Sequence, residues 1–156
     1  MAQETLSENG TNLIFLINLG ATLAMFGAIW IVQVVHYPLF SRVGIESFRA
    51  YETAHTSLIT LVVMPLMFAE LITAFLLALQ PPRGTPLIIA WIGLGLVGVT
   101  WLSTAFIQVP LHSKLSAGFD ASAHQALVTT NWIRTIAWSL RAVLVLWMTW
   151  RLLETR

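Results

Sequence analysis

The chain has no cysteine and few charges: Lys, Arg, Asp and Glu together make up 10% of its 156 residues. Without thiols, disulfides, thiolate catalysis and cysteine-ligated zinc or iron–sulfur centres are excluded. The 8 basic and 7 acidic residues leave a formal charge of +1. No basic cluster stands anywhere, which argues against nucleic acid as a partner. Neither HxxxH nor HExxH occurs, so no histidine pair announces a metal by helical spacing. The first eleven residues contain no Lys or Arg. A cleavable leader wants a basic start and an apolar stretch of about 7–15 residues. The polar, acidic tail 1–11 and the longer run behind it therefore predict an uncleaved first span.

Apolar residues fill the space that charge leaves, at 57% of the chain. They gather in runs near 13–37, 57–79, 87–111 and 127–150. Each is long enough for a hydrocarbon core, which takes about 20 residues of helix. Backbone groups there have no water to bond, so each run must be helical. The expectation is an all-α, polytopic membrane protein: one domain over 1–156, an up-down bundle of four transmembrane helices. The bilayer is then its first partner. Orientation stays open, with Arg83, Arg151 and Arg156 on one side and Arg42, Arg49 and Lys114 on the other. The basic flank of the first helix favours a cytoplasmic 36–56 side.

Local signals divide the runs. Pro38 is expected to end the first helix near Tyr37. In 45–56, Ile45, Phe48 and Tyr51 read as an apolar face, with Glu46, Arg49 and Glu52 between them, an amphipathic lead-in to the second helix. Pro65 should kink that helix, and 80–86, rich in proline, should turn tightly. Gly93-Leu94-Gly95-Leu96-Val97-Gly98 spells a dinucleotide-binding fingerprint, but no strand precedes it. Glycine is common where membrane helices pack closely, so no nucleotide cofactor is expected. Asp120 reads as an N-cap of the last helix.

One phrase occurs twice. Pro38-Leu39-Phe40-Ser41-Arg42-Val43 returns 72 residues later as Pro110-Leu111-His112-Ser113-Lys114-Leu115, each copy closing a long apolar run. This reads as a tandem duplication of one helical hairpin, 13–79 and 87–150.

Four spans put His36, His55, His112 and His124 at one end of the bundle. The last helix carries Asn131, Arg134, Trp138 and Arg141 at spacings of 3, 4 and 3, one stripe on one face. Arg141 lies about 21 Å into its span at 1.5 Å per residue. Glu70 is the one acid of the second run, at nearly the same depth, and a buried Glu70–Arg141 ion pair that sets bundle register is expected. Arg134 has no acid at its depth. An unpaired guanidinium suits an anionic ligand, an enolate or phenolate oxygen, or a haem propionate. Gln33, His36, His55, Gln108, His112, Asn131 and Arg134 are expected around one shallow cavity. His36, His55 and His112 are candidate ligands for a metal ion or haem. Tyr37 and Tyr51 read equally as interfacial anchors or as participants.

Val109-Pro110-Leu111-His112-Ser113-Lys114-Leu115, followed by Asn131-Trp132-Ile133-Arg134-Thr135, resembles the anthrone-oxygenase-like family of small four-helix membrane proteins. The resemblance covers mainly 105–145, and His112 stands where that family carries Asn. Val35-His36-Tyr37-Pro38 resembles a common type of bacterial membrane protein, which implies the bacterial inner membrane. The family resemblance implies oxygenation of a polycyclic phenol precursor, with Asn131 and Arg134 as site residues.

Two functions from different classes follow. One is an oxygenase-like oxidoreductase for a small aromatic or hydrophobic substrate, with His36, His112, Asn131 and Arg134 as catalytic candidates. Arg134 would stabilise negative charge, Asn131 would orient substrate, and a histidine would act as base. The other is a non-enzymatic haem- or metal-binding or structural subunit of a membrane complex, oligomerisation being open in either case.

Overall fold

A computed structural model describes residues 7–155. All regular structure among them is helical. Four helices are long and apolar enough to cross a membrane: α1 Glu8–Arg42, α2 Ile45–Leu79, α3 Leu87–Leu115 and α4 Ala121–Glu154. The short connections 43–44, 80–86 and 116–120 leave room only for reversal. Contacts run α1 to α2, α2 to α3, α3 to α4 and α4 back to α1, a closed square. The outside is apolar, with Leu61, Phe106 and Val143 among the most exposed side chains. That pattern suits lipid and makes the chain a multi-pass membrane protein.

The prolines act differently from the sequence expectation. Pro38 does not end α1. The helix passes through it to Arg42, and α3 likewise passes through Pro110 to Leu115. Proline lacks an N–H, and its ring collides with the carbonyl four residues back. The chain widens to make room: Val32–His36 and Thr104–Gln108 are each one turn of π-helix, ending two residues before a proline. The two wide turns lie 72 residues apart, and proline explains both without reference to common origin. α2 runs unbroken through Pro65.

Helix starts follow the side chains. Ser7 Oγ accepts the Gly10 N–H at 3.2 Å. Asp120 Oδ1 accepts the Ala123 N–H at 2.8 Å and the Ser122 hydroxyl at 2.5 Å, while Lys114 Nζ lies 2.9 Å from Oδ2. The Ser122 hydrogen bond, then Lys114 and the Ala123 N–H, hold the Asp120 carboxyl well below the usual carboxylate range.

Mid-bundle, a polar knot joins all four helices. Arg141 Nε lies 3.4 Å from Glu70 Oε1, with both side chains buried. Arg141 Nη2 also donates to Asn18 Oδ1 at 2.7 Å and to Thr22 Oγ1 at 3.3 Å. Trp138 Nε1–H donates to the other carboxylate oxygen at 2.8 Å. On α3, Gly93 completes the seat: a Cβ there would stand 2.5 Å from Arg141 Nη1. The glycine that spells part of a nucleotide fingerprint is a berth for a guanidinium.

Candidate functional site

The lead-in to α2 buries only part of the face its apolar residues imply, and carries polar groups in with it. Phe48, Glu52 and His55 point inward, at 0%, 0% and 8% exposure, whereas Ile45 is 80% exposed. Glu52 is thus a carboxylate inside the bundle. Its Oε1 lies 2.5 Å from His112 Nδ1 on α3. The opposite ring nitrogen, Nε2, lies 2.9 Å from the hydroxyl of Tyr37 on α1. Arg134 Nη2 on α4 donates to that same hydroxyl at 3.1 Å. One chain of hydrogen bonds therefore crosses four helices.

Donor and acceptor roles are set from its ends. A guanidinium only donates, so the Tyr37 oxygen accepts from Arg134 and spends its single proton on His112 Nε2. Neutral His112 then holds its proton on Nδ1, aimed at the Glu52 carboxylate. Hydroxyl, imidazole and carboxylate stand in the order of a hydrolase triad, with tyrosine in place of serine. The cation at the tyrosine end favours an anion placed beside it.

Arg134 is held from behind. Its Nε and Nη2 donate to Asn131 Oδ1 at 2.9 Å and 2.6 Å, and Nη1 donates to Thr104 Oγ1 at 3.3 Å. Asn131 Nδ2 donates to Gln33 Oε1 at 2.8 Å, and Gln33 Nε2 donates to the Val128 carbonyl at 3.1 Å. Arg134 has no carboxylate partner among the described residues. Buried at 8% exposure and bonded inward, it does not reach toward headgroups.

A cavity of about 320 Å³ lies against this chain. Tyr37, Gln108, His112 and Arg134 make its polar wall, and Met25, Ile29, Val63 and Met67 belong to its apolar one. Its margins include Thr60 of α2 with Val109 and Ser113 of α3, all exposed. The mouth therefore opens between α2 and α3 on the surface turned to lipid. Gln108 adds a demand. Its Nε2 donates to Thr130 Oγ1 at 3.0 Å, and that hydroxyl already gives its proton to the Ala126 carbonyl. The amide orientation is thereby settled, and the buried Oε1 is an acceptor with no donor.

Several sequence expectations need correction. The seven polar residues do not surround one cavity. His36 and His55 line a separate shallow groove beside Tyr51 and Leu58, and Asn131 and Gln33 stand behind Arg134, buried at 0% and 3% exposure. Asn131 positions Arg134 and is off the cavity wall. Among the described residues, no group of three His, Asp or Glu side chains is set to hold a metal. In the arrangement described, both nitrogens of His112 are bonded, and His36 Nε2 lies 2.8 Å from His55 Nδ1. Glu52 was legible only by spacing. Phe48, Glu52 and His55, at i, i+4 and i+7, share a helical face.

Fold and site together define a four-helix, multi-pass membrane protein with a buried tyrosine–histidine–glutamate chain beside a lipid-facing cavity. Comparisons with protein-family models, curated proteins and solved structures find no match.

Proposed function

We propose that the protein is a membrane-embedded proton-transfer enzyme of oxygenase-like type. Its substrate would be a small apolar molecule bearing a weakly acidic hydroxyl or an enolisable carbon. The observation behind this reading is the Tyr37 hydroxyl on the cavity wall, donating to His112 and accepting from Arg134. The ligand's proton passes to the Tyr37 oxygen as the Tyr37 proton passes to His112 Nε2. Tyr37 ends neutral, His112 ends protonated against Glu52, and the negative charge stays on the ligand beside Arg134. Gln108 Oε1 favours a ligand that donates a hydrogen bond. Where the resulting anion is one that dioxygen oxidises, dioxygen as co-reactant completes an oxidoreductase reaction. The likeness of 105–145 to the anthrone-oxygenase-like family supports that extension.

A chromogenic nitrophenol tests the reading. Bound to the protein in lipid nanodiscs, it should absorb as the anion at a pH where it stays neutral in empty nanodiscs. Arg134→Gln and Tyr37→Phe should each lose the anion band while keeping helix content. A probe that stays neutral with the wild-type protein, or binds no more than to empty nanodiscs, defeats the proposal.

A further inference from the structure

The proton that His112 collects must leave again, and the chain described above does not by itself reach the rim. A second set of side chains does. His36, His55 and His112 form a row of imidazoles, with ring centroids 4.6 Å apart for the first pair and 5.4 Å for the second. His36 is half-exposed at the groove. Its Nε2 lies 2.8 Å from His55 Nδ1. His55 is buried, and its second nitrogen, Nε2, has no partner. Glu52 Oε2, three residues back on the same helix, is likewise buried without a partner. Residues at i and i+3 are neighbours on a helix surface. With His36 donating, His55 carries its remaining proton on Nε2, which leaves a donor and an acceptor unsatisfied within one turn of the same helix.

We propose that His36 and His55 are a proton conduit that connects the Tyr37–His112–Glu52 chain to the aqueous rim, completed by one buried water between His55 Nε2 and Glu52 Oε2. Buried waters are held by otherwise unpaired polar groups of this kind. Inward, a proton arriving on His36 Nδ1 releases the one on Nε2 to His55 Nδ1. His55 then gives its Nε2 proton to the water, which passes one on to Glu52 Oε2. Outward transfer starts from the opposite tautomers, with His55 Nε2 and His36 Nε2 bare. Glu52 takes the His112 Nδ1 proton on Oε1 and turns its carboxyl to give that proton to the water. The water gives one to His55 Nε2, and His55 gives its Nδ1 proton to His36 Nε2. His36 releases its Nδ1 proton at the rim, with no change of oxidation state. The packing around His55 comes from Tyr37, Phe40, Tyr51 and His112. His55 is therefore walled by aromatic rings.

The inference rests on the proposed proton-transfer chain, so its test reads that chain first. With histidine ¹⁵N-labelled and the full chain in nanodiscs, His112 Nδ1–H should give a far-downfield proton resonance from its short bond to Glu52. Its exchange with water is then measured by saturation transfer. His55→Phe and His36→Ala should each keep the resonance and slow its exchange by about tenfold or more, the scale set by losing one buried hydrogen-bonded carrier. Wild-type exchange rates in both variants overturn the conduit alone. A wild-type protein without the resonance overturns the chain, and the conduit with it.

Discussion

His112 Nδ1 lies 2.5 Å from Glu52 Oε1, and this contact makes an orienting group of a carboxylate that lies wholly inside the bundle. The other oxygen of Glu52 has no side-chain or backbone partner, so the protein itself satisfies only half of this carboxylate. A buried charge in this state costs desolvation that a neutral residue avoids.

Glu52→Gln is accordingly expected to leave thermal stability unchanged or slightly raised. Ionised-phenol binding or turnover should fall by about a hundredfold, within the range for loss of acid–base assistance. Unfolding and probe titration on the same preparation check this. A loss of stability in proportion to the loss of binding would make Glu52 a packing group.

Glu70→Gln should behave the opposite way. Its two oxygens satisfy Arg141, Trp138 and Thr22, and removing the charge strands a guanidinium at mid-membrane. Breaking one partner of a buried pair costs about 3–5 kcal/mol. The expected result is a lower unfolding midpoint in detergent with the phenol site intact in whatever fraction folds. A midpoint equal to that of the wild type would remove the bundle-register role.

Gly93→Ala tests the same knot from α3. The added methyl would meet Arg141 Nη1, and a guanidinium that shifts to make room strains the bonds its Nη2 makes to Asn18 and Thr22. A loss of about 1–3 kcal/mol is expected, the cost of leaving buried polar groups unsatisfied. Gly95→Ala, where a Cβ meets nothing within 4 Å, is the control and should be silent.

Asp120 sets an acid limb of stability. Its folded pKa lies below the unfolded value, so the unfolded chain takes up the proton first as pH falls. The stabilisation is complete above the unfolded value of 3.8 and drains away as pH drops toward the folded one. Asp120→Asn keeps a good N-cap but cannot be protonated in that window. The variant should show a flatter midpoint-versus-pH curve below about pH 4, measured against the wild type by thermal unfolding.

The helices were legible because span length and hydropathy are one-dimensional properties. Glu70 with Arg141 was legible because depth follows from counting residues. Asn131 and Arg134 were legible as one helix face, though Asn131 was read as orienting substrate and not as holding Arg134. Tyr37 stayed undecided for want of one fact: Pro38 reads as a helix end, whereas a wide turn lets α1 run on and sets the ring in the interior. Glu52 was hidden by its neighbours. Ile45, which the bundle leaves outside, and the charged Glu46 and Arg49 make a carboxylate in this stretch read as solvated. The closure of His112 onto both residues is a tertiary relation across 60 and 75 positions, which no local pattern encodes.

The mouth between α2 and α3 has a consequence for how affinity is expressed. A molecule reaching Tyr37 by that route is drawn from the lipid phase, where each methylene it carries enriches it by about 0.8 kcal/mol. Titrations plotted in aqueous molarity therefore merge partitioning with occupancy, and adding detergent or extra lipid dilutes the ligand although the flask concentration is constant. Mole fraction in the membrane is the variable that governs filling, and homologous ligands differing only in tail length should collapse onto one curve when plotted against it.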